Sequence, residues 1–400
     1  MKDQHYGADM TETSSDWRVI DGVVTAWFDA PSLVDGAALA DRIVALSDDA
    51  AVDVRSSGVR VRLDSTDHAD TVSAVARDLG LAANSAVLQQ VGVVIDAADP
   101  TAVSDFWQRV LAYEPHADGS LVDPLRRDPA VRVQPSAAPR PLRHRVHLDV
   151  VRPAAEVELV GLGDGAGPYG VRHSDPDGNE VDFLPGDPLG DGSGTADWHA
   201  VFSAMACYRT TSTTQQRDLV AAAAEAADDA GFPLLIDVRP GLVIFDSGKD
   251  QWEGDAHGLD LDFADLAASL QAAARELGAT ADSALPRFAQ LFLDAADVAA
   301  VRAFWVAALG YVPDRRAGVT ELYDPRRLNP ELVFQELDAS DTPRRQQRNR
   351  IHFELAVPTD VAQERVTAAL AAGGQLLEES ESRWLVADPE GNELAIVTGP

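Results

Sequence analysis

The chain has a single cysteine, Cys207, which rules out an intrachain disulfide framework and leaves a cysteine-based zinc site without partners. Lysine is almost missing, with only Lys2 and Lys249, and 33 basic residues face 65 acidic ones for a formal charge of −32. Such a chain repels a phosphate backbone, so neither nucleic acid nor an anionic membrane is expected as a partner. No stretch approaches the roughly 20 uninterrupted apolar residues of a spanning helix, and the opening MKDQHYGADMTETSSDW has no apolar segment behind a basic one. A cytoplasmic location is therefore expected. There is also no G-x-G-x-x-G opening a helix after a strand, no P-loop, no G-x-S-x-G elbow and no H-E-x-x-H.

What the chain does have is a duplication. VVIDAADPTAVSDFWQRVLAYEP from Val93 recurs as LFLDAADVAAVRAFWVAALGYVP from Leu291, and DPLRRDPAVRVQ from Asp123 answers DPRRLNPELVFQ from Asp324. RVHLDV from Arg145 matches RIHFEL from Arg350, and DPDGNEVDF from Asp175 matches DPEGNELAI from Asp388. The first block reads as a strand followed by an amphipathic helix carrying Phe106-Trp107 or Phe304-Trp305. The later blocks read as strands joined by turns, with the Gly and Asn of DPxGNE suited to positive φ.

A weaker pair precedes these blocks. Asp16-Trp17 to about Ala86 holds the strands RVIDG and VVTAWFD, a helix from Leu33, the strands AVDV and GVRVRL, and a helix from Ala69. Its counterpart opens at Asp197-Trp198, behind the Gly- and Asp-rich linker 186–197. The order is A, B, A, B, and an α+β class is expected, with boundaries at 16–86, 88–186, 197–283 and 286–400.

The B stretches resemble the glyoxalase and bleomycin-resistance superfamily, also called vicinal oxygen chelate, which implies tandem βαβββ modules folded around a cup. The A stretches resemble pterin-4a-carbinolamine dehydratases, through the Trp17 opening, the WFD strand and GVRVRLDST. In metal-dependent members of the first superfamily, strands one, four, five and eight each supply one ligand. Carried over, these positions are Gly92, Gln134, His147 and Asp182 in the first B stretch, and Gln290, Gln335, His352 and Ala395 in the second. Glycine and alanine cannot coordinate and an amide is a poor stand-in for a carboxylate. No metal or other cofactor is therefore expected, although a divalent ion at His147, Asp182 and Gln134 stays open.

Arg145, His147 and Asp149 alternate, as do Arg350, His352 and Glu354, so each trio shares one strand face, either the inner face of a cup or an exposed ladder of charges. Dehydratase chemistry needs paired histidines, yet the matching positions read Asp48-Asp49-Ala50, Ser65-Thr66-Asp67 with His68 displaced, and Asp228-Asp229-Ala230. That activity is expected to be lost. The leading expectation is a small-molecule-binding protein, with the A stretches as structural partners or pocket walls. A metal-dependent lyase, isomerase or dioxygenase is the alternative and a pterin enzyme the second. Catalytic residues and the oligomeric state are left open. The two cups should be unequal, the first gathering Gln134, His147 and Asp182, the second lined by Gln290, Gln335 and His352. His147 should then have a higher pKa than His352, unless burial dominates.

Overall fold

The computed structural model describes residues 15–47 and 49–399. The first A stretch runs β1 (Trp17–Ile20), β2 (Val23–Asp29), α1 (Leu33–Leu46), β3 (Ala51–Arg55), β4 (Gly58–Leu63), α2 (Ala69–Asp78) and β5 (Ala82–Ala83). The first B stretch follows with β6 (Gln90–Ala97), α3 (Pro100–Leu111), β7 (Glu114–Pro115), β8 (Leu121–Val122), β9 (Val131–Pro135), β10 (Val146–Pro153), α4 (Ala154–Val160), β11 (Arg172–Ser174) and β12 (Glu180–Pro188). The second A stretch has β13 (His199–Ala200), β14 (Ala204–Arg209), α5 (Thr213–Ala230), β15 (Leu235–Arg239), β16 (Leu242–Asp246), α6 (Gly254–His257), α7 (Phe263–Glu276) and β17 (Thr280–Ala281). The second B stretch closes with β18 (Phe288–Ala295), α8 (Val298–Leu309), β19 (Val312–Pro313), β20 (Leu322–Tyr323), β21 (Leu332–Glu336), α9 (Thr342–Gln346), β22 (Ile351–Val357), α10 (Thr359–Ala371), β23 (Gln375–Glu379), β24 (Arg383–Ala387) and β25 (Glu393–Thr398).

Local chemistry accounts for the matching helices. Asp99 and Asp297 cap α3 and α8, each accepting the N–H three residues on, from Ala102 and Ala300. Trp107, Phe304 and Trp305 are completely buried and Phe106 nearly so, at matching helical positions. Each Trp is anchored by the turn before the last strand of its repeat: the indole N–H of Trp107 donates to Asp175 (2.9 Å) and that of Trp305 to Asp388 (3.1 Å). In these DPxGNE turns only Gly178 and Gly391 take positive φ. The Asn expected there does other work, since Asn179 and Asn392 donate to the same aspartates, both at 2.7 Å.

The expectation that each stretch closes on itself is corrected, because the repeats pair crosswise. In one eight-stranded sheet, β6 and β9 of the first B stretch pair with β22 and β25 of the second through the antiparallel β6–β22 ladder. In the other, β10 and β12 of the first join β18 and β21 of the second through β10–β18. One apolar core, including Trp107, Trp305, Leu148 and Phe353, serves both sheets. The duplicated halves share one alternation of apolar and polar positions, so the pattern alone does not distinguish self-pairing from pairing with the other copy.

The A stretches also merge. β3 and β15 pair antiparallel, with Asp53 opposite Asp237, so one sheet and one core run through both copies. Hydrogen bonding continues through β13 to β12, which joins this sheet to the β10–β18 sheet. Two buried carboxylates thus face each other at the seam. Each takes an arginine from the other copy, Arg239 on Asp53 (2.6 Å) and Arg55 on Asp237 (2.8 Å), with Arg60 and Arg127 added at 2.6 and 2.5 Å. Burial alone would raise the Asp53 pKa, but Arg239, Arg60, Arg62 and Arg55 outweigh it and hold the carboxyl well below its usual range.

Removing one charge from such a buried network leaves its partners uncompensated. Asp53→Asn is expected to lower unfolding free energy in urea by about 3–5 kcal/mol, whereas exposed Asp67→Asn should be close to neutral. A loss no larger for Asp53→Asn than for Asp67→Asn would contradict the assigned role of the seam.

Candidate functional site

On each B sheet the residues that alternate with the core form a second face, called a cup here. His147, Asp149, Asp182 and Gln290 lie on this face of the β10–β18 sheet, interleaved with core residues Leu148, Val150, Val181 and Leu291. His147, Asp149 and Asp182 can each aim one ligand atom so that all lie within 4.8 Å of one another. His147 Nε2 is 3.7 Å from Asp149 Oδ1, and its ring stacks on Phe292. Gln290, opposite Asp149 in the ladder, donates to its Oδ2 (3.0 Å). Asp149 Oδ1 and Gln290 Oε1 are buried with no hydrogen-bond partner. Asp182 is half-buried and meets Arg172 at 3.3 Å.

The β6–β22 cup carries Gly92, Gln134, His352, Glu354 and Ala395. Gln134 therefore does not join His147, but donates to Asp96 (2.6 Å), which also binds Arg140 (2.6 Å). Glu354 pairs with Arg132 at 2.8 Å. Gln335, on β21, is exposed. The grouping of Gln134, His147 and Asp182 is thus corrected, as is that of Gln290 and Gln335 with His352, because strand exchange moves half of each set into the other cup. Arg145 and Arg350 leave both sets. Arg145 donates to the Glu390 carbonyl (3.0 Å) in the turn of the other repeat, and Arg350 reaches towards Asp177 at 3.9 Å.

Both cups share a frame that the sequence reading missed. Arg140 on Asp96 and Arg348 on Glu393 in the β6–β22 cup correspond to Arg344 on Asp294 and Arg143 on Glu180 in the β10–β18 cup. The signal was available, since Asp96 and Asp294 hold one register in the first duplicated block. Against this common frame the β10–β18 cup adds Asp149, Asp182 and Gln290, where the other has Glu354, Ala395 and Gly92.

Burial dominates the titration of both histidines, the condition under which the expected order was not to hold. Burial, reinforced by Arg143, Arg172 and Arg344, pushes His147 down to about 3, and burial also lowers His352 despite Asp96 and Glu393. Burial raises Asp149 to about 7. Of the positions weighed against the dehydratase pattern, a resemblance that no comparison supports, Asp48 lies outside the described residues, Asp49 and Asp229 are exposed, and His68 caps no helix with its side chain. Asp228 accepts the N–H groups of Leu33 (3.2 Å) and Val34 (2.9 Å), so it caps α1 of the other A stretch.

A family model described as "Glyoxalase-like domain" matches residues 92–184 and 290–397, together half of the chain, and the chain belongs to this family. Among solved structures it is similar to glyoxalase I of Zea mays, with 10% identity and a TM-score of 0.37 over 78% of this chain and 92% of that one. A glyoxalase/bleomycin resistance protein/dioxygenase family enzyme from Burkholderia phytofirmans PsJN shares 21% identity over 27% of this chain and 94% of its own, with a TM-score of 0.21. No curated protein matches the chain. Among the described residues no helix is long and apolar enough to cross a membrane.

His144, beside the cups, is pushed down to about 4 by burial and by Arg350, Arg140, Arg145 and Arg344. A histidine whose folded pKa lies below its unfolded value of about 6.5 binds its proton more readily unfolded. Stability is therefore full above about pH 6.5 and is lost as pH falls towards 4 for His144 and 3 for His147. Imidazole NMR should show both rings neutral at pH 5.5, with unfolding free energy declining below pH 6.5. Either ring titrating near 6.5 in the folded protein would refute this.

Proposed function

We propose that this is a small-molecule-binding protein of the glyoxalase and bleomycin-resistance type whose working site is the β10–β18 cup, where His147, Asp149 and Asp182 with Gln290 hold a divalent cation. The observation that carries this reading is the convergence of one imidazole and two carboxylates within 4.8 Å, beside the unpartnered oxygens Asp149 Oδ1 and Gln290 Oε1. A buried acceptor without a donor costs free energy that a cation would recover. The donor set of one nitrogen and several oxygens suits a divalent ion of intermediate hardness. The expectation of no metal rested on counting Gly92 and Gln134 with His147; crosswise pairing replaces them with Gln290, and Asp149, on the same strand as His147, adds a second carboxylate.

Each residue has a distinct part. His147 is neutral at physiological pH and offers Nε2, while Phe292 stacks on its ring and fixes its plane. Asp149 loses its proton to become a ligand, and Gln290 orients it. A bound cation would supply a Lewis-acidic position for ligand oxygens. The β6–β22 cup has no equivalent set, since Arg140 and Arg132 already neutralise Asp96 and Glu354.

Metal analysis of protein purified without chelator should find a single divalent cation per chain, lost in His147→Ala and Asp149→Asn and kept in His352→Ala. Because Asp149 must be ionised and its carboxyl sits at about 7, cation affinity should rise about tenfold between pH 6 and pH 8. Metal-free protein, or a cation retained in His147→Ala, would overturn the assignment.

A further inference from the structure

The two A–B junctions are related by the same duplication as the cups, yet one is filled and the other is open. Aligning the A hairpins through Asp53-Val54-Arg55 and Asp237-Val238-Arg239 sets Ile244 at the place of Arg60 and Asp246 at that of Arg62. The β2–β4 and β14–β16 registers set Met205 at Thr25, and the first duplicated block sets Phe288 at Gln90. On the second side Met205, Ile244 and Phe288 close into one apolar cluster, and Asp246 binds Arg127. On the first side Thr25, Arg60, Arg62 and Gln90 instead line a cavity of about 410 Å³ between the A sheet and the β7–β8 hairpin.

On the floor of this cavity several arginines crowd a single carboxylate. Arg60 and Arg62 share Asp53 with Arg239, at 2.6, 3.4 and 2.6 Å. Arg62 is buried and its Nε has no hydrogen-bond partner. Its pKa is driven well down by burial and by Arg60, Arg239 and Arg126, so an added anion would relieve the strain of crowded cations. The walls bring apolar surface from Ile20, Val23 and Val122, while five carboxylates, Asp21, Glu114, Asp118, Asp123 and Asp128, also line the cavity and repel a multiply charged ligand. The volume suits a drug-sized small molecule.

We propose that this cavity binds a small molecule bearing one carboxylate on an apolar body, with the carboxylate resting on Arg60 and Arg62. Arginine is suited to the task because its planar fork matches a carboxylate. The site is separate from the proposed cation cup and does not depend on it. It also gives the A stretch a reason to retain arginines where its copy has Ile244 and Asp246: the copy needs only to pack.

The test is calorimetric titration of the full chain, treated with chelator, with 4-phenylbutyrate and 1-naphthoate against their neutral amides. At least one carboxylate should bind at least about tenfold more tightly than its amide. The double variant Thr25→Met/Gln90→Phe, which installs the side chains of the filled junction, should abolish that binding. Hydrogen exchange on the unaltered protein, which does not rely on a variant folding, should show ligand protection in residues 114–130. Equal affinity for acid and amide, no binding of either acid, binding retained in the folded double variant, or protection confined to the β10–β18 cup would each overturn the proposal.

Discussion

The fold turns on the two aspartates that meet across the A seam. Asp53 and Asp237 stand opposite each other in the β3–β15 ladder, an arrangement that would drive the strands apart if either charge stood alone. Reciprocal arginines reverse the sign, and the same arginines reach down to the B stretches. Arg55 donates to the Arg327 carbonyl (3.3 Å) and Arg239 to that of Leu125 (2.6 Å), both in the duplicated loops that begin at Asp123 and Asp324. The seam thus sets how the A layer sits over the B sheets, and through them where the loops bordering the open cavity lie.

Crosswise pairing of the B halves is the second constraint, and it bears on function. Had each repeat closed on itself, His147, Asp149 and Asp182, which the β10–β12 pairing already brings together, would share a cup with Gly92 and Gln134. Exchange instead unites His147, Asp149 and Asp182 of one repeat with Gln290 of the other. One duplication therefore yields two cups with a common arginine and carboxylate frame and unequal centres. The A–B junctions show the same division, one with an apolar plug and the other with two arginines over a void. In both cases the copies diverged at the positions that face the space.

The duplication itself was legible in the sequence, because the Phe-Trp helices and the DPxGNE turns depend on local chemistry that leaves a residue pattern. The Trp–Asp hydrogen bonds even explain why those two motifs occur together. The choice of strand partner was not legible, since β10 has the same alternation whether it meets β6 or β18. Site residues followed the same rule. His147, Asp149, Asp182 and Gln290 were picked out by position, but their grouping depended on pairing. Arg145 shared its strand face with His147 and yet reaches the other repeat's turn, because a long side chain near a strand end can leave its own sheet. For the histidines the deciding factor was burial, which the sequence does not fix: desolvation outweighs a neighbouring carboxylate when the ring is almost entirely enclosed.

The proposed cation cup is assembled from both repeats, and the β6–β22 cup lacks its donors. Anomalous diffraction from a crystal soaked in manganese(II) tests it most directly, because it locates the ion and the strands around it in one experiment. A single strong peak is expected between His147, Asp149 and Asp182, with Gln290 from the second repeat beside it. A peak next to His352, or a map in which Gly92 and Gln134 lie beside His147, would contradict this.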